Sequence, residues 1–239
     1  MEQTLIIIPT YNEIENIEAI IKTVFETELK LDILVVDDQS PDGTGKAVIA
    51  LMSQYKARLF LESRSKKSGL GAAYVHGFKW ALKRQYQYVF EMDADFSNDP
   101  KELAPMLEKL KAGTDLVVGS RYVKGVNVVN WQMSRILLSY FASKYVQLIT
   151  SMPIKDATAG FVGYRRVVLE SIVLDEIKFV GYAFQIELKY KAWVKKFKLE
   201  EHPIIFTNRV LGKSKMNGNI IWEALSGVLF LRLNKRKFK

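Results

Sequence analysis

Short β-branched apolar runs alternate with helical patterns through the first half of the chain. In each helical pattern the apolar residues recur at spacings of three and four. The predicted strands are Thr4–Ile8, Ile33–Asp37, Arg58–Glu62, Tyr88–Met92 and Leu116–Gly119. The predicted helices between them are Glu15–Phe25, Gly45–Tyr55, Leu70–Lys83 and Glu102–Lys111. This alternation predicts an α/β fold, a Rossmann-like αβα sandwich with a mostly parallel central sheet.

Beyond Tyr122 the alternation ends and longer helical patterns follow. One predicted helix has an unusually aromatic apolar face, formed by Met133, Ile136, Leu137, Tyr140, Phe141, Tyr145, Leu148 and Ile149. Such a face usually packs on a core, and a helix that lies on a bilayer is the alternative. A further helix is predicted at Phe184–Trp193 and a strand at Glu200–Thr207.

The composition limits the kinds of site that the fold can hold. The chain has 239 residues, of which 49% are hydrophobic and 26% charged, as expected of one sizeable globular domain. It has no cysteine and only two histidines. Thiolate metal sites are therefore excluded, and a bound metal would be held mainly by oxygen atoms, which favours Mg²⁺ or Mn²⁺.

The net charge of +9 predicts an anionic partner, such as nucleic acid, anionic lipid or a phosphorylated small molecule. Residues 1–4 lead directly into an apolar strand without the features of a signal peptide, so we expect a cytoplasmic protein. No window reaches the ~20 apolar residues of a membrane-spanning helix. From Gly218 the chain is apolar and then basic, ending in Lys235–Lys239, which suits an anionic membrane surface.

Two aspartates follow the fourth predicted strand. The sequence Asp93-Ala94-Asp95 precedes a turn signal at residues 97–100, Ser-Asn-Asp-Pro. Two carboxylates at this point can share a divalent cation and present it to a diphosphate. A single Asp-x-Asp is more often a solvated acidic turn, so the interpretation depends on the neighbouring strands.

Polar residues also follow the first two strands. Asp38 follows the second strand, where it can accept hydrogen bonds from a base, and the turn after it, residues 40–43, caps the next helix. The first strand ends in Pro9-Thr10-Tyr11-Asn12-Glu13, which supplies an aromatic ring and a carboxylate. Because ligands of open parallel sheets bind beyond the carboxyl ends of the strands, three strand ends predict one crevice.

Together these segments resemble the family 2 glycosyltransferases, which have the GT-A fold. Further segments are similar to the dolichol-phosphate and polyprenyl-phosphate mannose synthases of that family: Lys67–Tyr74, Gly119–Tyr122, Ser134-Arg135, Asp156–Phe161 and Gly181–Glu187. The segments match in order, from residue 4 to about residue 216. The resemblance implies a metal-dependent, inverting transfer of mannose from GDP-mannose to polyprenyl phosphate, peripheral on the inner face of the cytoplasmic membrane. The matched segments predict a catalytic domain at 1–216, and the residues after it predict an amphipathic, basic tail at 217–239 without a transmembrane helix.

The resemblance assigns roles to individual residues. It implies that the guanosine of GDP-mannose is bound by Pro9, Tyr11, Glu13, Val36 and Asp38. It implies that the diphosphate and Mg²⁺ or Mn²⁺ are bound at Asp93, Ala94 and Asp95, the two aspartates being the metal ligands. Arg209 and Lys215 match a mobile loop that closes on the diphosphate of the sugar donor. Arg121 and Arg135 match arginines that bind the acceptor phosphate, so the catalytic candidates are Asp95, Arg121 and Arg135.

Two features depart from the family pattern. Ser97 stands where relatives place a glutamine that serves as a further metal ligand. Some relatives carry transmembrane helices, so here a membrane-anchoring partner, or the aromatic helix and the basic tail, would bring the enzyme to its lipid.

Other functions remain open. The sugar donor can instead be UDP-glucose or another nucleotide sugar, and the acceptor can be a growing polysaccharide. A nucleotide-binding or nucleic-acid-binding module without catalysis is the alternative from another class. Acidic residues crowd the predicted crevice, which disfavours a nucleic-acid groove.

Overall fold

A computed structural model describes residues 3–208 and 218–238. Its strands are β1 (Thr4–Thr10), β2 (Leu31–Asp37), β3 (Leu59–Ser63), β4 (Tyr88–Glu91), β5 (Leu116–Ser120), β6 (Val128–Val129), β7 (Val162–Arg165), β8 (Leu199–Pro203) and β9 (Phe206–Thr207). Its α-helices are α1 (Ile17–Phe25), α2 (Thr44–Met52), α3 (Leu70–Lys83), α4 (Leu103–Lys111), α5 (Met133–Thr150), α6 (Arg166–Ser171), α7 (Tyr182–Val194) and α8 (Gly218–Leu233). Short 3₁₀ helices cover Pro100–Glu102, Leu174–Glu176 and Lys235–Phe238.

The main sheet has the strand order β3-β2-β1-β4-β7-β5-β8. Its neighbouring strands run parallel except at β7, which is antiparallel to both β4 and β5. The predicted α/β fold with a mostly parallel central sheet is therefore confirmed. The carboxyl ends of β1, β2, β4 and β5 lie at one edge, where the sequence places its polar segments.

The sheet is buried on both faces, which explains the continuous apolar run of β1. Leu5 and Ile7 pack against α3 and α7, whereas Ile6 and Ile8 pack against α1, α2 and α4. Each buried isoleucine contributes roughly 1.5–3 kcal/mol of transfer free energy. On the α3 face, Gly77 permits a close approach, because a Cβ atom there would lie 2.7 Å from Cγ2 of Ile7.

The C-terminal part of the sheet differs from the prediction. The prediction of a single strand at Glu200–Thr207 is wrong, because this segment forms two strands in two sheets. The chain leaves the main sheet after β8, and β9 pairs with β6 in a separate two-stranded sheet. The backbone N–H of Ile204, between the two strands, bonds to the carbonyl of Ser120. The sequence analysis also missed β7 and α6. β7 has only four residues and contains Gly163, whose missing side chain makes room for the Phe90 ring.

The usual interpretation of the aromatic helix, that it faces the core, is also wrong for most of α5. Its buried residues are Ser143, Val146 and Thr150. The apolar side chains of Met133, Leu137, Leu138, Phe141 and Leu148 are exposed. None of the helices within residues 3–208 and 218–238 is both long and apolar enough to cross a membrane.

Candidate active site

The loops that follow β1 and β2 are tied together by hydrogen bonds. The Thr10 hydroxyl donates to Asp37 Oδ1 at 2.8 Å, and the backbone N–H of Asn12 donates to Ser40 Oγ at 3.0 Å. The backbone N–H of Glu13 donates to Thr44 Oγ1 at 3.0 Å. These bonds hold the predicted guanosine-binding residues of the two strand ends side by side, and Pro9 pairs directly with Val36 in the sheet register.

Two of these residues already have cationic partners. The Asp38 carboxylate, 6% exposed, accepts a bidentate pair of hydrogen bonds from Arg64, with Nε at 2.6 Å and Nη2 at 2.8 Å. The Lys67 ammonium lies 4.0 Å from the centre of the Tyr11 ring. A base bound at this edge would meet Asp38 as part of an ion pair, a partner that the sequence analysis did not identify.

Asp93, Ala94 and Asp95 follow β4 at the same edge of the sheet. Asp95 is 8% exposed, and its Oδ1 accepts a hydrogen bond from the Ser97 backbone N–H at 3.1 Å. Ser97 is itself buried. The turn predicted after the strand is thus present, and it fixes the second carboxylate.

The two aspartates fit a hard divalent cation. Gly160 lies beside the Asp93 carboxylate, since a Cβ atom added to it would be at an ordinary contact distance of 4.0 Å from Asp93 Oδ2. Within the described ranges, no group of three or more histidine, cysteine, aspartate or glutamate side chains is arranged to hold a metal. An ion here would complete its coordination with water and with ligand oxygens, as Mg²⁺ usually does.

Buried polar side chains lie directly beneath Asp93. The Glu91 carboxylate, fully buried, accepts hydrogen bonds from the Tyr164 hydroxyl at 2.7 Å and from the Gln185 amide. Burial raises the pKa of Glu91 to about 7, although the Gln185 and Tyr164 bonds and Lys189 act in the opposite direction. Burial, followed by the charges of Asp93 and Glu91, holds the pKa of Tyr74 well above its usual value.

One small pocket is lined by a residue of each predicted kind, Asp93 and Arg121. Its lining residues are Asp93, Asn98, Gly119, Arg121, Ala159, Gly160, Phe161, Ile204 and Phe206. We call Asp93 and Asp95 the carboxylate side of the site, and Arg121 and Arg135 the arginine side.

The Arg121 guanidinium is held in place by a buried carboxylate. Nε and Nη2 donate to Asp156 at 2.7 and 2.6 Å, and Nη2 also donates to the Thr158 hydroxyl at 2.9 Å. Arg121 is 7% exposed and Asp156 is 0% exposed. The backbone around Asp156 is held in turn, because the N–H groups of Lys155 and Asp156 donate hydrogen bonds to the Glu201 carboxylate. Arg121 therefore presents a fixed guanidinium to the pocket rather than a mobile one.

Arg135 adjoins Arg121 through an aromatic ring. The Arg135 guanidinium carbon lies 4.0 Å from the centre of the Trp131 ring, and that of Arg121 lies 5.4 Å from the same centre. Arg135 Nη1 also donates to Asn208 Oδ1 at 3.1 Å. Phe206 packs edge-on against Trp131 at 5.2 Å. The two predicted arginines thus lie near the same indole ring, just before and at the start of α5.

The predicted site residues are not all accounted for. Arg209 and Lys215 lie outside the described residues. Asp95 and Arg135 are not lining residues of the pocket, whereas Asp93 and Arg121 are. The structure thus brings the carboxylate side and the arginine side to one cavity through one member of each pair.

The sequence analysis gave no role to several residues of this site: Arg64, Glu91, Trp131, Asp156, Gln185 and Lys189. A sequence signal existed for some of them. Glu91 interrupts an apolar strand, and Gln185 and Lys189 are four apart on one face of a helix that is otherwise mostly apolar. Most of their partners come from distant parts of the chain, which the sequence did not reveal.

The family is evident from comparison with known proteins. The family model described as glycosyl transferase family 2 matches residues 5–173. The polyprenol monophosphomannose synthase of Mycolicibacterium smegmatis is 47% identical over 94% of this chain and 84% of its own. The undecaprenyl-phosphate mannosyltransferase of Micrococcus luteus is 41% identical over 95% and 92%. The dolichol-phosphate mannosyltransferase of Pyrococcus furiosus is 37% identical over 92% and 61%.

Solved structures agree on the fold. The glucosyl-3-phosphoglycerate synthase of Mycobacterium tuberculosis, in complex with Mn²⁺, UDP and phosphoglyceric acid, superposes with a TM-score of 0.68. The alignment covers 98% of this chain and 78% of that one, at 16% identity, and so supports the fold alone. Taken with the sequence matches, the order of the strands and the crevice at their carboxyl ends show that the chain belongs to the family 2 glycosyltransferases.

Proposed function

We propose that this protein is a metal-dependent mannosyltransferase that moves mannose from GDP-mannose to a polyprenyl phosphate, with inversion at the anomeric carbon. The observation that supports this most strongly is the shared pocket of Asp93 and Arg121. A transfer between two phosphates needs a carboxylate-bound cation for the departing diphosphate and fixed cationic groups for the attacking phosphate. Asp93, a candidate ligand of that cation, and Arg121, a candidate ligand of that phosphate, line the same pocket.

The chemistry needs positioning more than it needs a base. A phosphate monoester is already anionic near neutral pH, so its oxygen can attack the anomeric carbon without a strong general base. Arg121 and Arg135 would orient that phosphate, and Asp156 keeps Arg121 from rotating away. A cation held by Asp93 and Asp95 would neutralise the charge that develops on the leaving GDP.

The names of the relatives support a phosphorylated polyprenol as the acceptor. Polyprenol, undecaprenyl phosphate and dolichol phosphate appear in the names of relatives that are 47%, 41% and 37% identical to this chain. These acceptors share an isoprenoid chain and a phosphate group. The proposed arginine side is the part of the site that would bind the common phosphate.

We further propose that α5 and the C-terminal segment lie on the inner membrane surface. Met133, Leu137, Phe141 and Leu148 lie on one side of α5 and are 67%, 47%, 62% and 80% exposed. Arg135, on the first turn of the same helix, belongs to the arginine side. The basic residues Lys235, Arg236 and Lys237 follow α8, which packs against α5. This arrangement would keep the isoprenoid chain in lipid while its phosphate reaches the pocket.

The direct test is a transfer assay with purified protein. We expect the enzyme to form polyprenyl phosphate mannose when it is given GDP-mannose, a short polyprenyl phosphate and Mg²⁺ or Mn²⁺. No product should form when EDTA is present from the start. UDP-glucose in place of GDP-mannose tests the alternative sugar donor. Transfer from UDP-glucose alone would overturn the proposed donor, and the lack of any lipid-linked product with either donor would overturn the proposed reaction.

A further inference from the structure

A fully buried lysine on α7 lies behind the pocket. The Lys189 ammonium, 0% exposed, donates to the carbonyl of Ala157 at 3.1 Å and to that of Ala159 at 2.7 Å. It also donates to the Gln185 carbonyl, one turn earlier on its own helix, at 3.2 Å. Three carbonyl partners satisfy the three N–H donors of an ammonium group. Two of these partners belong to one short segment of the pocket.

That segment, residues 156–160, touches both sides of the site, and we call it the bridging segment. Asp156 and Thr158 accept the hydrogen bonds of Arg121 on the arginine side. Gly160 adjoins Asp93 on the carboxylate side, and it lines the pocket together with Ala159. The relative placement of the two sides therefore depends on how this segment is held.

Keeping a charge at Lys189 is energetically costly. Burial lowers its pKa to about 8, while the carboxylates of Glu91 and Asp156 act in the opposite direction and Arg121 adds to the lowering. An apolar side chain at this place would avoid that cost but would leave two buried carbonyls of the bridging segment without a donor. The hydrogen bonds, rather than the packing of the side chain, distinguish lysine here.

We propose that Lys189 is a positioning residue, which fixes the bridging segment and thereby sets the geometry between the carboxylate side and the arginine side. The predicted effect of Lys189 on the reaction rests on the proposed function, whereas its predicted effect on the order of residues 156–160 does not. The effect on the reaction would be transmitted through Arg121, because Asp156 and Thr158 hold that guanidinium directly.

The same helix offers a matched control. Lys191 is also buried, at 5% exposed, and forms an ion pair with Glu187 at 2.8 Å. It donates to the carbonyl of Glu176, and it has no contact with the bridging segment among its hydrogen bonds in the described chain. Lys191→Met thus also removes a buried ammonium from α7, at a position whose hydrogen bonds lie outside the bridging segment.

The kinetic experiment compares Lys189→Met with Lys191→Met. We expect Lys189→Met to reduce kcat/KM for the polyprenyl phosphate by on the order of 10- to 100-fold, because small displacements of catalytic groups are that costly. GDP affinity should stay within about twofold, and Lys191→Met should keep wild-type kinetics within the same range. Thr158→Val should add little further loss in the Lys189→Met background, since both changes act through one segment. Additive losses, or equal losses in both lysine variants, would overturn the proposal.

Hydrogen–deuterium exchange separates this proposal from the proposed function. Amides of residues 156–160 should exchange faster in Lys189→Met than in the wild type and Lys191→Met. Lys189→Gln, which keeps two N–H donors without the charge, replaces Lys189→Met if the latter does not fold. Unchanged exchange in the bridging segment would refute the positioning role. Faster exchange in a protein whose wild type transfers no mannose would support the positioning role and count against the proposed reaction alone.

Discussion

Two bidentate arginine–aspartate pairs, one at the predicted guanosine-binding strand ends and one on the arginine side, have reversed roles. In Arg64–Asp38 the carboxylate is the predicted ligand-binding group and the arginine supports it. In Arg121–Asp156 the arginine is the predicted ligand-binding group and the carboxylate supports it. Each pair holds one ionised group in a fixed orientation, in which it could bind a ligand. In both pairs the sequence predicted a role for one member, and only the fold revealed the ion-pair partner that holds it.

The largest expected effect comes from the carboxylate side itself. Asp95→Asn keeps an oxygen for the Ser97 N–H but removes a charge from the proposed cation site. We expect turnover to fall by about 100-fold or more, because electrostatic stabilisation of a leaving diphosphate is lost. Steady-state kinetics at saturating Mn²⁺ measure the loss.

Asp99→Asn is the matched control for that change. Asp99 is exposed and caps the 3₁₀ helix Pro100–Glu102 by accepting a hydrogen bond from the Lys101 N–H. Its variant should keep wild-type turnover. Equal activity of Asp95→Asn and the wild type would remove Asp95 from the reaction.

Neutralising the aspartate of each pair sharpens the comparison between them. Asp156→Asn leaves the Arg121 charge buried without its counter-charge and should reduce the free energy of unfolding by about 3 kcal/mol. It should raise KM for the polyprenyl phosphate on the order of 10-fold while KM for GDP-mannose changes little. Asp38→Asn should show the reverse selectivity. Urea unfolding and two-substrate kinetics measure both variants.

The opposite outcome would also be informative. If both variants raise the same KM, the two pairs serve one ligand and the assignment of one pair to each substrate is wrong.

A smaller effect is expected from the exposed face of α5. Phe141→Ser should weaken binding to vesicles of anionic lipid by several-fold, because it removes an apolar side chain that would be buried in the membrane interface. Ile49→Ser changes an isoleucine of α2 that is 60% exposed and should leave binding unchanged. Vesicle sedimentation measures both. Equal losses in the two variants would contradict a specific membrane face.

The smallest expected effect concerns the pH dependence of stability. The pKa of Glu91 is raised from 4.5 to about 7, chiefly by burial, so its contribution to stability is full below pH 4.5 and is lost as the pH rises through 7. Glu91→Gln cannot titrate. Its free energy of unfolding should therefore decline less than that of the wild type between pH 5 and pH 8, by a few kcal/mol at most. Urea unfolding at these pH values measures the difference. Equal declines in the free energy of unfolding of the two proteins would show that the pKa of Glu91 is not raised.

The parts of the structure that the sequence predicts best are local. Strands β1, β2, β4 and β5 and helices α1 to α4 follow from apolar periodicity, because each repeats a short pattern that tertiary contacts do not override. The turn at Asp42 is similarly local, since its carboxylate accepts hydrogen bonds from the backbone N–H and the hydroxyl of Thr44, two residues later.

The remaining elements depend on long-range pairing. β7 is short and lies between β4 and β5, which are distant from it in sequence. The exposed face of α5 has the same apolar periodicity as a helix that packs on the core. The pattern alone therefore could not predict whether this face is buried or exposed. The roles of Asp156 and Lys189 could not be predicted from sequence, because they depend on contacts with Arg121 and Ala159 that only the fold creates.

The central claim is that the carboxylate side and the arginine side serve one reaction in one cavity. A crystal structure with Mn²⁺, GDP and a short polyprenyl phosphate tests it most directly. We predict an anomalous manganese peak at Asp93 and Asp95, with the lipid phosphate contacting Arg121 and Arg135 in the same cavity. A phosphate bound away from both arginines, or manganese bound away from both aspartates, would contradict it.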